Sequence, residues 1–347
     1  MPPIEDKNER GAKTHNPDGD RGPRFDLSVE PGGYAWWYLD AISDDRNYAM
    51  VVVFFCGSAF SPFYALSRTQ NRDADPLDHC AVNVVLYKRR SKIWTFTECT
   101  KENIERGCET FSVLGNEISW HGDFLSATFD LRSPVCGIPL EGYVRLYPAR
   151  LFGQAVALDK RKKHFWHPVA PLSRIEVELK KPSISFQGSA YHDANVGLEP
   201  LSNGFKMWSW SRAEVRGRAI ALYDGMEKDG SKFSLGRIFD PSGENTALGA
   251  SSKVVLPSTR WLIPRQTRVD RTGSARLIRT LENSPFYARS LIETELEGEK
   301  TTCIHETLNL DRFNKKWVQF LFYLRMRRQT AGARDPRFGL LARLWPR

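Results

Sequence analysis

The feature that most restricts the fold of this chain is a succession of short segments rich in β-branched and aromatic residues, separated by glycine, proline and other turn-forming residues. Segments of this length and spacing are typical of antiparallel strands, and no long stretch has the periodicity of an amphipathic helix. The sequence therefore predicts an all-β barrel or sandwich. The predicted strands are residues 48–55, 81–87, 93–97, 124–130, 143–147, 174–179, 207–215, 218–223, 232–239, 289–297, 301–308 and 318–324.

A weak internal repeat suggests that the chain has two halves. The aromatic segment at residues 33–38 precedes one strand, and Trp208 and Trp210 precede another in the same way. Each half could form one antiparallel barrel, with the break near Pro182. The predicted organisation is a disordered polar segment at 1–24, barrels at 25–181 and 182–326, and a basic tail at 327–347.

The positive charge is concentrated at the C-terminal end. The net charge is +9, and residues 311–347 contain ten basic and two acidic side chains, a net +8. A basic segment of this kind suits an anionic membrane surface or nucleic acid, or it is simply a solvated tail. The charge alone leaves these three alternatives open. The longest apolar run, residues 48–56, is far shorter than the roughly 20 residues of a membrane-spanning helix.

The absence of four sequence motifs argues against a P-loop NTPase, a nicotinamide dehydrogenase of the usual kind, an α/β-hydrolase and a zincin. The sequence lacks a P-loop, a dinucleotide-binding G-x-G-x-x-G after a strand, a G-x-S-x-G nucleophile motif and an H-E-x-x-H zinc motif. The six cysteines form no C-x-x-C pair, and the first 24 residues lack the apolar core of a secretory signal. We therefore expect reduced thiols in a cytosolic protein.

The densest group of polar and aromatic residues lies between residues 164 and 210. Three of the seven histidines, His164, His167 and His192, fall within this stretch beside Asp193. These four are metal-ligand types, but their spacing fits no strong metal motif. Alternatively, a carboxyl among aromatic rings loses solvation, so that its pKa rises and it stays protonated as an acid. The structural alternative is a barrel core with a hydrogen-bonded histidine and a turn aspartate.

The acid interpretation suits chemistry on an alkene. If the segment is a strand, Tyr191 and Asp193 share one face, and His164 and Trp166 share a face likewise. Aromatic faces stabilise a nearby cation by about 0.5–2 kcal/mol each. A second polar cluster at residues 75–83 precedes an apolar strand, and its His79 is either functional or part of a capped Asx-type turn.

Eight segments resemble, in order, the carotenoid 1,2-hydratase family, also called hydroxyneurosporene synthases. The resemblance extends from about residue 28 to residue 326, and its specificity lies in the joint order and spacing of the segments. They are residues 31–40 (PGGYAWWYLD), 57–64 (GSAFSPFY), 75–83 (DPLDHCAVN), 153–159 (GQAVALD), 164–168 (HFWHP), 191–197 (YHDANVG), 208–212 (WSWSR) and 305–313 (HETLNLDRF).

The resemblance implies two packed lipocalin-like antiparallel β-barrel domains. It implies addition of water to the C1–C2 double bond of acyclic carotenoids such as neurosporene and lycopene, in carotenoid biosynthesis of photosynthetic bacteria, with no metal or other cofactor. In the matching positions Asp193 protonates C2, Trp166 and Tyr191 stabilise the tertiary cation at C1, and His164 hydrogen-bonds the acid or deprotonates the attacking water. The residues predicted to bind substrate are Trp208, Trp210, Tyr64, His79 and Trp37. Because the implied substrate is dissolved in a bilayer, we also expect peripheral contact with the cytoplasmic side of a membrane, and no nucleic-acid partner.

Two other functions fit the same residues. One is a lipocalin-like carrier that binds a lipophilic molecule without turnover. The other is a related cofactor-free cyclase acting on a terpenoid or polyketide. A carrier would tolerate Asp193→Asn, a hydratase would lose nearly all turnover, and a cyclase would form a product without added water.

Overall fold

The computed structural model describes residues 22–70 and 73–329 of the 347-residue chain. Most of the predicted N-terminal segment and the end of the basic tail therefore lie outside the described residues. Within them, the first twelve strands are β1 (Tyr34–Ser43), β2 (Ala49–Cys56), β3 (Cys80–Tyr87), β4 (Lys92–Cys99), β5 (Ile104–Arg106), β6 (Thr110–Val113), β7 (Asn116–Trp120), β8 (Leu125–Arg132), β9 (Pro139–Pro148), β10 (Val156–Ala157), β11 (His164–Lys181) and β12 (Ile184–Gly197).

The later strands follow a short linking helix. They are β13 (Phe205–Val215), β14 (Arg218–Glu227), β15 (Lys232–Phe239), β16 (Asn245–Ala247), β17 (Ser251–Leu256), β18 (Arg265–Asp270), β19 (Ala275–Asn283), β20 (Tyr287–Leu296), β21 (Glu299–Asn309) and β22 (Arg327–Gln329). The helices are α1 (Pro62–Gln70), α2 (Leu201–Gly204), α3 (Leu310–Phe313) and α4 (Lys316–Arg325), with 3-10 turns at Pro76–His79 and Lys101–Asn103.

The described strands form two large sheets and one two-stranded ribbon. The first sheet has 13 strands in the order β22-β4-β3-β2-β1-β12-β11-β9-β8-β7-β6-β5, with β10 paired to β11. The second has seven strands in the order β16-β15-β14-β13-β21-β20-β19, and β17 pairs with β18. Pairing is antiparallel throughout the described strands, apart from the short parallel contact of β22 with β4. The predicted all-β antiparallel fold is confirmed.

The change from one sheet to the other occurs later in the chain than the predicted break at 181/182. Strand β12 pairs with β11 on one side and with β1 on the other, so it belongs to the first sheet. The predicted boundary therefore falls inside the β11–β12 hairpin, and the chain passes to the second sheet between Gly197 and Phe205. The division into two domains stays a prediction, with this boundary corrected.

Both faces of the central strands are buried, which explains their nearly continuous apolar sequence. On β1, Trp37, Leu39 and Ala41 point into a core enclosed by the first sheet. The alternate residues Tyr34 and Trp36 face a second core, formed between the two sheets. Because side chains alternate along a strand, one segment supplies both cores. A third, smaller core lies between the second sheet and the ribbon formed by β17 and β18.

The clearest error of the sequence prediction is the segment 318–324, expected as a strand and observed in α4. The inward-facing positions of this segment are Val318, Phe322 and Met326, four residues apart, which is the spacing of a helix face. Its aromatic residues favoured a strand, but the burial pattern has the helical period. The predicted segments also lacked β1, β5, β6, β7, β10, β12, β16 to β19 and β22, and helix α1. Most of these elements are short or have a weak apolar pattern, whereas β1 and β12 are long strands in which aromatic and polar residues are mixed.

Candidate active site

The acid predicted at Asp193 is held on strand β12 with its side chain toward the second sheet. The register of β12 with β1 sets Asp193 opposite Tyr38 and Tyr191 opposite Asp40. Tyr191, Asp193 and Asn195 alternate with residues of the other face, as expected for a strand. The condition under which Tyr191 and Asp193 were expected to share a face, that the segment is a strand, is therefore met, and the three side chains lie in one row.

Three side chains donate hydrogen bonds to the Asp193 carboxyl. Trp166 Nε1 lies 2.8 Å and the Tyr191 hydroxyl 2.7 Å from Oδ2, and Asn195 Nδ2 lies 3.3 Å from Oδ1. Burial raises the pKa of Asp193 to about 7, although the donors from Tyr191 and Trp166 act in the opposite direction. Desolvation therefore outweighs the hydrogen bonds, and at neutral pH a large part of this carboxyl carries its proton.

Asp193 lies on the wall of a cavity of about 420 Å³ between the two sheets. The wall is predominantly aromatic and aliphatic, and Asp193 is one of its few acidic groups. The described residues that line it include Trp36, Tyr38, Val51, Val53, Phe55, Phe60, Val85, Tyr87, Trp94, Phe96, Asp193, Asn195, Trp208, Trp210, Tyr223, Phe286, Tyr287, Glu306, Leu308, Val318, Leu321 and Phe322. Such a cavity suits an apolar ligand that meets one acid.

Aromatic rings surround the acid. The ring of Trp210 stands edge-on to Tyr191 at 5.0 Å and to Tyr38 at 5.7 Å between centroids. Tyr223 packs against Trp208 at 5.7 Å and against Trp166 at 5.8 Å. Their electron-rich faces stabilise positive charge in a site with little water.

A buried ionic cluster adjoins the acid on the side of the second sheet. Arg289 Nη2 lies 2.7 Å from Asp40 Oδ2, and its Nη1 is bonded to Glu306. Arg212 Nε lies 2.5 Å from Asp40 Oδ1. The hydroxyl of Tyr38 accepts from Arg289 at 2.6 Å and lies 3.0 Å from Glu306 Oε1. Two arginines thus balance two carboxylates, and Glu306 and Tyr38 carry the cluster to the cavity wall.

The four predicted catalytic residues are near one another, but they do not all reach the cavity. Asp193 lines it, whereas Trp166 and Tyr191 are fully buried behind it and contact its carboxyl. Trp208 and Trp210, predicted to bind substrate, are both on the cavity wall. The rings that face a ligand are therefore Trp208, Trp210 and their neighbours, not those of Trp166 and Tyr191.

His164 does not contact the acid in this structure. Its Nδ1 lies 3.0 Å from the Tyr34 hydroxyl, and its Nε2 lies 3.5 Å from Glu199 Oε1. Burial lowers the pKa of His164 below its usual value. The described partners of Asp193 are Trp166, Tyr191 and Asn195. The predicted hydrogen bond from His164 to the acid is therefore corrected. His164 lies on β11 two residues before Trp166, and its ring centroid is 5.0 Å from that of Phe205.

Three of the predicted substrate-binding residues lie away from the cavity. Trp37 points into the core of the first sheet, on the opposite face of β1, and its Nε1 donates to the backbone oxygen of Arg24. Tyr64 is stacked on His79 at 4.6 Å, and His79 Nδ1 lies 2.9 Å from Glu98 Oε1. These residues pack one end of the first sheet. Their aromatic or polar character suggested a site. Strand alternation turns Trp37 away from the cavity, and Tyr64 in α1 and His79 in a 3-10 turn are buried elsewhere.

The histidines considered as metal ligands do not converge. His167 Nε2 lies 2.7 Å from the backbone oxygen of Phe152, and His192 Nδ1 lies 2.9 Å from that of Tyr38. In the described part of the chain, no group of three or more His, Cys, Asp or Glu side chains is arranged to hold a metal ion. The two histidines instead satisfy backbone carbonyls.

Sequence reasoning missed the residues that complete the site from the second half of the chain. Glu306 and Arg289 belong to β21 and β20, which are distant from β12 in sequence, and only the pairing of the sheets brings them to Asp193. Glu306 lies within the conspicuous segment 305–313, so its position was visible but its role was not. Helix α4, at the cavity mouth, was read as a strand.

The comparison with protein families gives one match over most of the chain. A family model described as carotenoid hydratase CrtC matches residues 52–334. The chain is 42% identical over 311 residues to an acyclic carotenoid 1,2-hydratase of Thiocapsa roseopersicina, covering 89% of this chain and 76% of the relative. It is 38% identical over 314 residues to the enzyme of the same name from Rubrivivax gelatinosus, with the same coverage.

Solved structures share the fold at low sequence identity. The crystal structure of a Nitrosomonas europaea protein described as an AttH aligns with 81% of this chain and 92% of its own, with a TM-score of 0.58 and 13% identity. Kievitone hydratase from Nectria haematococca aligns with 84% of this chain and 96% of its own, with a TM-score of 0.53 and 9% identity. At such identities the likeness concerns the fold alone.

Proposed function

The chain belongs to the carotenoid hydratase family, and we propose that it adds water across the C1–C2 double bond of an acyclic carotenoid, such as neurosporene or lycopene, in carotenoid biosynthesis. The observation that carries this proposal is the buried carboxyl of Asp193 on the wall of an apolar, aromatic cavity. Burial raises the pKa of this acid to about 7, so a large part of it carries its proton at neutral pH, and it faces the space where an alkene would bind.

The first chemical step is proton transfer from Asp193 to C2 of the substrate. The two π electrons form the new C2–H bond, which leaves a tertiary cation at C1 and a carboxylate on Asp193. Trp166 and Tyr191 then stabilise that carboxylate through the hydrogen bonds that they already donate to it. These hydrogen bonds become stronger as negative charge develops on the carboxylate. Since only the protonated acid reacts, turnover falls as the pH rises through about 7.

The cation at C1 is stabilised by the rings that line the cavity. Trp208, Trp210 and Tyr223 lie on the wall beside Asp193. Water then attacks C1, and loss of its proton leaves a tertiary alcohol. The elements of water are added without any change of oxidation state, so the reaction requires no redox partner.

We further propose that the enzyme attaches peripherally to the cytoplasmic side of a membrane, where its substrate is dissolved. The support is a patch of exposed apolar side chains on and beside α4: Trp317 is 50%, Phe320 60% and Leu324 50% exposed, and the adjacent Trp261 is 44% exposed. Of these, Leu324 and Trp261 also line the cavity. The ring centroids of Trp261 and Trp317 lie 6.1 Å apart. Tryptophan at a mouth of this kind suits the interfacial layer of a bilayer.

Basic residues border the same patch. Lys315, Lys316 and Arg325 are exposed at the two ends of α4, and the first turn of that helix has no acidic side chain. Each lysine or arginine near an anionic surface contributes about 1 kcal/mol to binding. No helix in the described part of the chain is long and apolar enough to span a bilayer, so we propose contact by this surface patch.

A vesicle experiment tests the attachment. The full chain should co-sediment with vesicles of phosphatidylglycerol and phosphatidylcholine, and Phe320→Glu combined with Trp317→Glu should reduce the bound fraction at least fivefold. Val135→Glu is the matched control, because Val135 is 70% exposed but lies in the loop between β8 and β9, outside α4. Equal binding by wild type and the α4 double variant would refute docking through this patch.

The function itself is tested with purified enzyme and lycopene. A product heavier by one water, formed by wild type but not by Asp193→Asn, supports the hydratase. A product of unchanged mass supports a cyclase. Binding of lycopene without any product by the folded wild type supports a carrier, and either of these last two results contradicts the proposal.

A further inference from the structure

We propose that Glu306, together with Tyr38, holds the attacking water and that Glu306 accepts its proton as the C1–O bond forms. This inference rests on the proposed hydration and assigns its second half, the capture of the cation. The observation behind it is that two carboxyl groups in different surroundings, Asp193 and Glu306, line one cavity.

His164, which the family resemblance assigned to the attacking water, does not reach the cavity. His164 is absent from the cavity wall, and its ring nitrogens face Tyr34 and Glu199. Two other polar groups of the wall are bonded elsewhere: Asn83 donates to the backbone oxygen of Thr95, and Glu282 pairs with Lys92.

The position of Glu306 follows from the pairing of the two sheets. On β13, Trp210 is paired with Glu306 of β21, and the ring of Trp210 packs on Tyr191, which donates to Asp193. On the facing sheet, Tyr38 is paired with Asp193 and lies 3.0 Å from Glu306 Oε1. Tyr38 therefore links the region of the acid to Glu306.

The surroundings of the two carboxyl groups differ in charge. Asp193 is bonded by neutral donors and retains its proton, whereas Glu306 is paired with the buried guanidinium of Arg289. Arg289 is itself anchored by Asp40, so the carboxylate of Glu306 is held at a fixed place. One wall of the cavity thus offers a proton and the other offers negative charge, the division of roles that acid–base catalysis requires.

The proton balance closes with water alone. Asp193 gives a proton to C2, water forms the C1–O bond with one of its lone pairs, and the resulting oxonium passes a proton to Glu306. An oxonium is a strong acid, so a carboxylate already paired with arginine is basic enough to take that proton. Before the next turnover Glu306 releases its proton to water, and Asp193 regains one from water.

Deuterium labelling separates this role from that of Asp193. Full-length wild type, Glu306→Gln and Asp193→Asn are incubated with lycopene in D2O, and hydrated product and deuterium in recovered carotenoid are both measured by mass. In Glu306→Gln the cation still forms but is captured poorly, so it loses a proton back to solvent. We expect the rate of hydration to fall at least 100-fold. The rate of deuterium incorporation into carotenoid should stay within tenfold of the wild-type rate, counted there over hydrated product and recovered substrate together.

The other variants complete the test. Asp193→Asn should lose both signals, and Glu299→Gln, an exposed glutamate of the same strand β21 paired with Arg216, should retain both. Hydration by Glu306→Gln within threefold of wild type, or parallel loss of hydration and deuterium incorporation, would overturn the assignment. Absence of hydration by wild type would instead overturn the proposed function.

Tyr38→Phe guards against a folding defect in Glu306→Gln. It removes one hydroxyl and keeps the ring that packs on Trp210. The ratio of deuterium incorporation to hydration should rise about tenfold, since the water loses one of its two holders. An unchanged ratio would contradict the proposal.

Discussion

Replacement of Asp193 by asparagine should stabilise the protein at neutral pH while abolishing its activity. Asparagine has the shape of the protonated carboxyl and cannot ionise. In the folded wild type, burial raises the pKa of Asp193 from the ordinary 3.8 to about 7, and the side chain is only 4% exposed. The folded protein therefore binds this proton more tightly than the unfolded chain does, and the wild type loses stability as the pH rises.

The size of the effect follows from the two pKa values. Its ceiling is about 4 kcal/mol, reached above pH 7, and the part that develops between pH 5 and pH 7 is about 2 kcal/mol. The sign is opposite to that of an ion-paired aspartate, because the folded-state pKa is raised and the contribution is lost as the pH increases. Activity should decline over the same range in the wild type.

Urea unfolding of wild type and Asp193→Asn at pH 5, 6, 7 and 8 measures the effect. The free energy of unfolding of the variant minus that of the wild type should grow by about 2 kcal/mol from pH 5 to pH 7. His192 and His305, whose pKa values burial lowers to about 4, also change stability with pH. They are present in both proteins, so the difference removes their contribution. A difference independent of pH would refute the claim that the folded protein keeps Asp193 protonated.

Further expectations concern the neighbours of the acid. Trp166→Phe removes a donor to the carboxylate, so the pKa of Asp193 should rise further and the alkaline limb of the pH–rate profile should move to higher pH. A shift of this limb to lower pH would contradict the hydrogen-bond assignment. His164→Gln should reduce turnover less than about tenfold, and a loss as large as that of Asp193→Asn would return this histidine to the catalytic step. Arg289→Met removes the guanidinium from the partly buried Glu306 and leaves the buried Asp40 with Arg212 alone, so urea unfolding should show a destabilisation of about 3–5 kcal/mol; a loss below 1 kcal/mol would show that the cluster adapts.

The fold class was predictable because strand segments are recorded locally in the sequence. The predicted limits of 232–239 match β15, and those of 81–87 and 207–215 lie within one or two residues of β3 and β13. Segment 318–324 failed for a local reason as well, since its aromatic residues suit a strand and its helical burial becomes visible only when it packs at the cavity mouth. The predicted break at 181/182 does not coincide with the change of sheet, because the pairing of β12 with β1 is a long-range property.

The candidate site was predictable in part. The alternation of Tyr191 and Asp193 on one strand needed only local geometry, whereas Trp166 was assigned to the site through the family resemblance. Glu306 joins them through the packing of two sheets, which no local pattern records. Trp37 shows the converse: its neighbour Trp36 lines the cavity, and a single step along β1 turns Trp37 into another core.

The most direct test of the central claim is the mass of carotenoids from cells that make lycopene or neurosporene, expressing either this chain or its Asp193→Asn variant. Our account predicts carotenoids heavier by one water with the wild-type chain and none with the variant, although both proteins are folded. Unchanged carotenoids with a folded wild-type chain, or equal amounts of hydrated product from both proteins, would contradict it.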